Sequence, residues 1–406
     1  MKKLILLLLA SALVLLLTAC GGKEAVPESL EITPDAGQVL YTHDNAGTID
    51  LTVLAVYSDG SKVDVTEKAL KKADLSQPGE ATIKVTCTVD GTILSGNAKI
   101  SVKASPFVWE SVPDEYTGEA FQKGSIERFT YLSYIYTTEG ERIGEAQETE
   151  AYVYLPYGYD ETQEYDVLYL MHGGSENAGY WLCQGDYVSG GSKDMSGENF
   201  TVSFLDNCIQ KGYCQPLIVV TPCINTGDGE DKTEGRTGLN GVSEFQYEFK
   251  NELVPAIETK YATYANGDVS AENLIATREH RAYAGLSMGS MTGFSSILMG
   301  CTDYVAYIGN YSGCWSDVDA ISASLTGDFA DYPILYWYNG EGTRDMAHDE
   351  HIENYRKMLS LTGDKFTEGV DFTSQNAIMV DKEGHAHNYQ NWIVDLYNTL
   401  GCFFRK

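Results

Sequence analysis

Basic side chains are scarce in this chain: 28 Lys and Arg stand against 58 Asp and Glu, a formal net charge of −30. A surface that acidic repels phosphate backbones and anionic headgroups, which excludes nucleic acid and any membrane attachment through a basic patch. Neutral polymers such as polysaccharides stay open as partners. Cysteine gives no dense disulfide framework: after Cys20, eight remain, and Cys208 with Cys214 could pair or all could be small buried thiols. No Cys/His cluster has zinc spacing, so neither metal nor cofactor is expected. Long apolar runs are missing beyond the first 20 residues, so no later segment is suited to cross a bilayer.

What is present is globular. A hydrophobic fraction of 43%, with 28 Tyr and 13 Phe, can build a sizeable core, and 406 residues suggest two domains. The first 19 residues read as a signal peptide: Lys2 and Lys3, then the uncharged run Leu4 to Leu17. Leu17-Thr18-Ala19-Cys20 resembles the lipobox of bacterial lipoproteins, which implies cleavage before Cys20, lipid on that cysteine, a tether over 20–28 and export to the cell surface.

Residues 29–104 read as all-β. Short alternating runs such as Ile49 to Tyr57, Ala81 to Cys87 and Ala98 to Val102 are separated by turn signals, notably Ser58-Asp59-Gly60-Ser61 and Gln77-Pro78-Gly79. The expectation is a small β-sandwich, and the segment resembles bacterial immunoglobulin-like domains. It holds no group of acids or histidines suited to catalysis, so it is read as a spacer, with carbohydrate binding as the sharper alternative. A linker spans 105–118.

From 119 to 406 the pattern changes. Arg128 to Tyr136 and Glu148 to Pro156 suit an antiparallel pair. Asp166 to Met171, Leu217 to Pro222, Tyr304 to Gly309, Ile334 to Asn339 and Gln375 to Val380 read as buried parallel strands. Glu244 to Tyr261 reads as a helix containing Pro255. Strands alternating with helices predict an α/β domain with a mostly parallel central sheet.

Its focus is Gly285-Leu286-Ser287-Met288-Gly289, a G-x-S-x-G between a short apolar run and a helical one. That context makes a nucleophile elbow, in which small flanking residues permit a strained serine at the head of a helix. A serine hydroxyl needs a base, and the base an orienting carboxylate. In the order Ser, Asp, His, the later strand ends offer Asp345 and His385. His387 competes, but the turn at Gly384 favours His385. His348 and His351 lie in a charged helical stretch and read as solvated. Two amides must meet the developing oxyanion: Met288, and one after His172-Gly173-Gly174, assigned to Gly174. Tyr180, Trp181, Asn225, Thr226, Tyr311 and Trp315 follow the strands nearest the serine and are the candidate substrate-binding residues.

The motifs Tyr154-Leu155-Pro156, His172-Gly173-Gly174, Glu252-Leu253-Val254-Pro255, Gly285 to Gly289, Gly342-Thr343-Arg344-Asp345 and Gly384-His385 occur in the order of a known family. From about Trp109 onward the chain resembles the esterase family that includes feruloyl, acetyl xylan and esterase D-like enzymes. The resemblance implies an α/β-hydrolase fold and a cofactor-free Ser-His-Asp esterase acting on ester substituents of cell-wall xylan. Ser290 stands where that family usually has a glycine, and Ala386-His387 where an acid and an aromatic often follow the histidine. A non-catalytic carbohydrate-binding lipoprotein, or a serine peptidase of the same fold, are the rival readings.

Overall fold

The computed structural model describes residues 25–35, 38, 40–41, 46–75, 79–103, 111–183, 200–225 and 238–405. The signal segment, Cys20, the first part of the linker and Thr226 lie outside the described residues. The chain divides into two compact units, one holding most of the amino-terminal strands and the other the α/β region.

The amino-terminal strands form two sheets. β1 (Pro27–Pro34), β3 (Leu51–Tyr57) and β4 (Lys62–Asp64) form one antiparallel sheet. β2 (Leu40–Tyr41), β7 (Thr92–Lys103), β6 (Gly79–Val89) and β5 (Leu70–Lys72) form the other, in that order. Alternation decides which face is buried: Leu51, Val53 and Ala55 of β3 and Ile83, Val85, Cys87 and Val89 of β6 point inward, one residue in two.

The second unit is built on eight strands. β8 (Ser125–Tyr136) and β9 (Arg142–Leu155) form the antiparallel edge, and β10 (Asp166–Met171), β11 (Leu217–Thr221), β12 (Arg281–Leu286), β13 (Tyr307–Tyr311), β14 (Tyr336–Gly342) and β15 (Ala377–Lys382) the parallel body. The order across the sheet is β15-β14-β13-β12-β10-β11-β9-β8. Only the β9–β11 and β8–β9 pairs are antiparallel. β10 to β14 are buried on both faces because helices cover them, whereas edge strand β8 alternates, with Phe129 and Tyr131 buried and Thr130 and Leu132 exposed. One apolar cluster lies on each side of the sheet. β13, β14 and β15 begin two or three residues later than the sequence suggests and run further toward the loops that carry the site.

Two helical runs contain a widened turn. Phe249–Leu253 is a π-helical turn immediately before Val254–Lys260, where Pro255 has no N–H to donate. Gly293–Leu298 is another, after Met288–Thr292; a Cβ on Gly293 would stand 2.4 Å from Asn310 Nδ2, so glycine lets this helix close onto β13. Among the described residues no helix is long and apolar enough to cross a membrane, and all eight cysteines there are free thiols.

Candidate active site

Ser287 follows β12, the strand in the middle of the sheet, and begins the helix Met288–Thr292. Its φ of 50° and ψ of −115° lie where a residue with a side chain is strained. Its N–H donates to the Tyr311 carbonyl at 2.9 Å and its carbonyl accepts from Met291 N–H at 3.0 Å, which hold the strained turn from both ends. The motif's glycines are required by space: a Cβ on Gly285 would lie 2.5 Å from the Gly289 backbone, and one on Gly289 2.5 Å from the His172 carbonyl oxygen. Ser290 is buried, and its hydroxyl donates to the Gly313 carbonyl at 2.5 Å. The position usually filled by glycine therefore ties the serine's helix to the loop after β13.

Asp345 stands just past β14 and His387 just past β15. His387 Nε2 accepts from the Ser287 hydroxyl at 3.0 Å, and His387 Nδ1–H donates to Asp345 Oδ1 at 2.8 Å. The structure thus brings Ser287 and Asp345 to His387. His385 is displaced from the relay, a correction to the sequence expectation. Gly384, at φ 77°, does make the tight turn, closed by His385 N–H to the Lys382 carbonyl. The turn ends at His385, whose backbone is engaged with the Asp345 loop, and two more residues carry the chain back over the serine. Asn388 then caps the helix Tyr389–Cys402 through its side chain and fixes where His387 leaves the loop. Trp392, one turn into that helix, meets the His387 ring edge to face at 5.1 Å.

Burial alone would raise the Asp345 carboxyl. The bonds from His387 and from the Ala347 N–H, the nearby imidazole and the Ser312 hydroxyl outweigh it and hold the group below the usual carboxylate range. Ser312, with φ 55°, is a hub that no motif announced: its Oγ accepts from Asn391 Nδ2 at 3.1 Å and Trp392 Nε1 at 2.7 Å. The signal available was the Ser-Gly pair directly after a buried strand.

His351, expected to be solvated, is fully buried. Helix His348–Leu361 turns His351, Tyr355 and Met358 inward at helical spacing, so the charges around them occupy only the outer face. His351 Nδ1 accepts from Gly313 N–H at 3.2 Å and lies 2.9 Å from Glu341 Oε2; its Nε2–H donates to Asn339 Oδ1 at 3.1 Å.

On the oxyanion side, a Cβ built on Gly173 would stand 3.2 Å from Ser287 Cβ, and one on Gly174 3.0 Å from Met288 Sδ. The loop therefore runs directly past the serine and Met288, which brings both expected oxyanion residues, Met288 and Gly174, to the site.

The substrate-binding expectations divide. Tyr180, Trp181 and Tyr311 are buried in the apolar cluster under the sheet and are corrected to core residues. Trp181 Nε1–H donates to the Met171 carbonyl, and Tyr311 donates to Thr399 Oγ1. The cause is helix Tyr389–Cys402, whose Tyr389 and Trp392 draw the first two aromatics beneath the site. Asn225 is exposed, its N–H donating to the Asn240 carbonyl, and Trp315 is half-buried against Gly313. Among the described residues no group of three or more His, Cys, Asp or Glu could hold a metal ion.

A strained serine at a helix start, a histidine bonded to it and an acid behind that histidine form a charge-relay triad. Residues 145–320 match the family described as "Putative esterase". That esterase match includes Ser287 and the oxyanion loop and stops before Asp345 and His387, whose placement rests on geometry. The chain is 31% identical over 316 residues to Endo-1,4-beta-xylanase Y of Acetivibrio thermocellus, covering 75% of this chain and 26% of that protein. It is 32% identical over 274 residues to an Endo-1,4-beta-xylanase/feruloyl esterase of Xylanibacter ruminicola, covering 66% of this chain and 30% of that one. It therefore spans about a third or less of the length of these relatives. A solved mutant of the feruloyl esterase module from Clostridium thermocellum, complexed with sinapinate, superposes with a TM-score of 0.59 at 28% identity, covering 74% of this chain and 95% of the module.

Proposed function

We propose that the chain is a serine carboxylic ester hydrolase that removes feruloyl groups from plant cell-wall polysaccharide. The observation that carries the chemistry is the continuous Ser287–His387–Asp345 bonding. As Ser287 Oγ attacks the ester carbonyl, its proton passes to His387 Nε2. Asp345 accepts from Nδ1–H and stabilises the imidazolium. The amides of Met288 and Gly174 meet the oxyanion. His387 then hands its proton to the leaving sugar hydroxyl, and the acyl group remains on Ser287. A water activated by His387 releases the acid and restores the serine.

Feruloyl is favoured over acetyl by the relatives. The similar solved module is a feruloyl esterase, and one similar protein carries that activity in its name. Trp315, half-buried beside the loop that holds Ser312 and Gly313, is the remaining aromatic candidate to lie against a planar acyl group. The amino-terminal reading goes with this one: lipid on Cys20 anchors the enzyme at the cell surface, and the strand-rich unit spaces it outward.

The deciding experiment measures ferulate release from arabinoxylan beside acetate release from acetylated xylan, for wild type and Ser287→Ala. Ferulate release that vanishes in the variant is the expected result. Acetate release alone would replace the acyl group assigned. Release undiminished in Ser287→Ala would overturn the hydrolase.

A further inference from the structure

Both backbone groups of Gly173 are held. Ile224 N–H donates to His172 Nε2 at 3.2 Å, so the His172 proton is on Nδ1, which donates to the Gly173 carbonyl at 2.7 Å. On the other side, Gly173 N–H donates to Glu176 Oε2 at 2.7 Å. The Gly173 amide is therefore spent inside the loop, and Gly174 is the next one along. The Glu176 carboxyl sits behind it: both Glu176 Oε2 and Ser287 Cβ lie 3.2 Å from the place a Gly173 Cβ would take. Nothing in the esterase chemistry itself uses an acid here.

We propose that Glu176 is the positioning residue of the oxyanion loop: as an uncharged acid it captures the Gly173 amide, so that the Gly174 amide faces the ester carbonyl and no negative charge stands beside the forming oxyanion. An ionised carboxylate at this distance would oppose that oxyanion, in a site where charges are weakly screened. The surroundings agree. Burial raises the Glu176 carboxyl to about 8, against the bonds from Gly173 N–H and the Tyr180 hydroxyl. No cation faces it. His172 is pushed down to about 4 by burial and is neutral, and Tyr180 is raised by burial well above its ordinary range and stays protonated. This also gives Tyr180 a place: it is a core residue whose hydroxyl steadies the acid.

The inference rests on the esterase reading, and the test separates the two. In the full chain, kcat and KM for p-nitrophenyl acetate are measured across pH for wild type, Glu176→Ala and Glu176→Gln. Losing the acceptor should lower kcat of Glu176→Ala about 10²-fold, with KM changed less than about threefold, because the loss falls on oxyanion geometry. Glu176→Gln keeps a neutral acceptor, so it should recover most of that kcat at neutral pH. It should also lack the fall in kcat/KM expected of wild type as pH rises through about 8. An infrared difference between wild type and Glu176→Gln should show the carbonyl band of an un-ionised acid at neutral pH. A Glu176→Ala kcat close to wild type, a Glu176→Gln profile with the same alkaline fall, or a carboxylate band at neutral pH each overturns the proposal. Wild type without Ser287-dependent turnover removes the esterase reading instead, and the infrared band still decides whether Glu176 is an uncharged acid. Should Glu176→Ala not fold, the Glu176→Gln profile and the band carry the decision.

Discussion

The backbone N–H of Arg344 donates to the carbonyl of His385 at 2.9 Å. With Gly384 N–H donating to Thr343 Oγ1 at 2.8 Å, that bond joins the loop carrying the acid to the loop carrying the base. Gly342 permits it, since a Cβ there would come within 2.5 Å of the same His385 oxygen. His385 is thus a docking point whose main chain sets the distance from Asp345 to His387. The two histidines should separate cleanly on mutation. His387→Ala should lower kcat by about 10⁴-fold or more, as expected for loss of a triad base. His385→Ala leaves the backbone carbonyl in place and should lower kcat less than about tenfold. Steady-state kinetics on p-nitrophenyl acetate, with circular dichroism to confirm folding, read both. The reverse ranking would overturn the assignment of the base.

The case shows what pattern can and cannot supply. The elbow, the order of strands and the acid after β14 were legible because each follows from local spacing: small residues around a serine, and apolar runs ending in polar loops. The choice between histidines was not local. It depends on the Arg344 N–H, which comes from the loop after β14 to hold the His385 carbonyl, and on the Asn388 cap that fixes the next helix. Burial misled in the same manner. Tyr180, Trp181 and Tyr311 follow strands near the serine, which suggested a pocket, but the helix Tyr389–Cys402, far later in the chain, covers them. His351 sits among charges in sequence and inside the core in space, because only one face of its helix is charged.

Ser312 offers a second test. Its Oγ accepts from buried Asn391 and Trp392, and its proton helps to keep Asp345 ionised. Ser312→Ala leaves two buried donors without an acceptor, a penalty of about 1–3 kcal/mol. Because Trp392 also rests on the His387 ring, activity should fall together with stability. Urea unfolding and kcat measured on the same samples check this. An unchanged midpoint with full activity would show that the hub carries no weight.

Cys20 tests the anchoring proposal independently of catalysis. In a bacterial host, Cys20→Ala should remove incorporation of labelled fatty acid and move the protein from the membrane fraction to the soluble one. The soluble form should keep its turnover of small esters, since every site residue belongs to the other of the two units. Membrane association that survives Cys20→Ala would reject lipid at this residue.

The buried pair behind the triad predicts how stability depends on pH. Gly313 N–H points at His351 Nδ1, so that nitrogen carries no proton, and the 2.9 Å contact to Glu341 Oε2 needs the proton from the Glu341 side. Both groups are therefore uncharged when folded. Burial, reinforced by the negative charge of Asp345, holds Glu341 well above its ordinary 4.5, and burial holds His351 well below its ordinary 6.5. For Glu341 the folded state keeps a proton that the unfolded chain loses above 4.5, so stability falls as pH rises from there to about 9. For His351 the unfolded chain gains a proton below 6.5 that the folded state refuses, so stability falls as pH drops below 6.5. Between 4.5 and 6.5 the two slopes oppose each other, and above 6.5 only the Glu341 slope remains. Its size approaches about 1.4 kcal/mol per pH unit for one proton. Glu341→Gln removes that titration while keeping a donor for His351 Nδ1. Wild type should therefore lose stability to urea between neutral pH and pH 9, and Glu341→Gln should lose less by about one proton's slope. Parallel curves for the two proteins would mean that Glu341 is already ionised in the folded state.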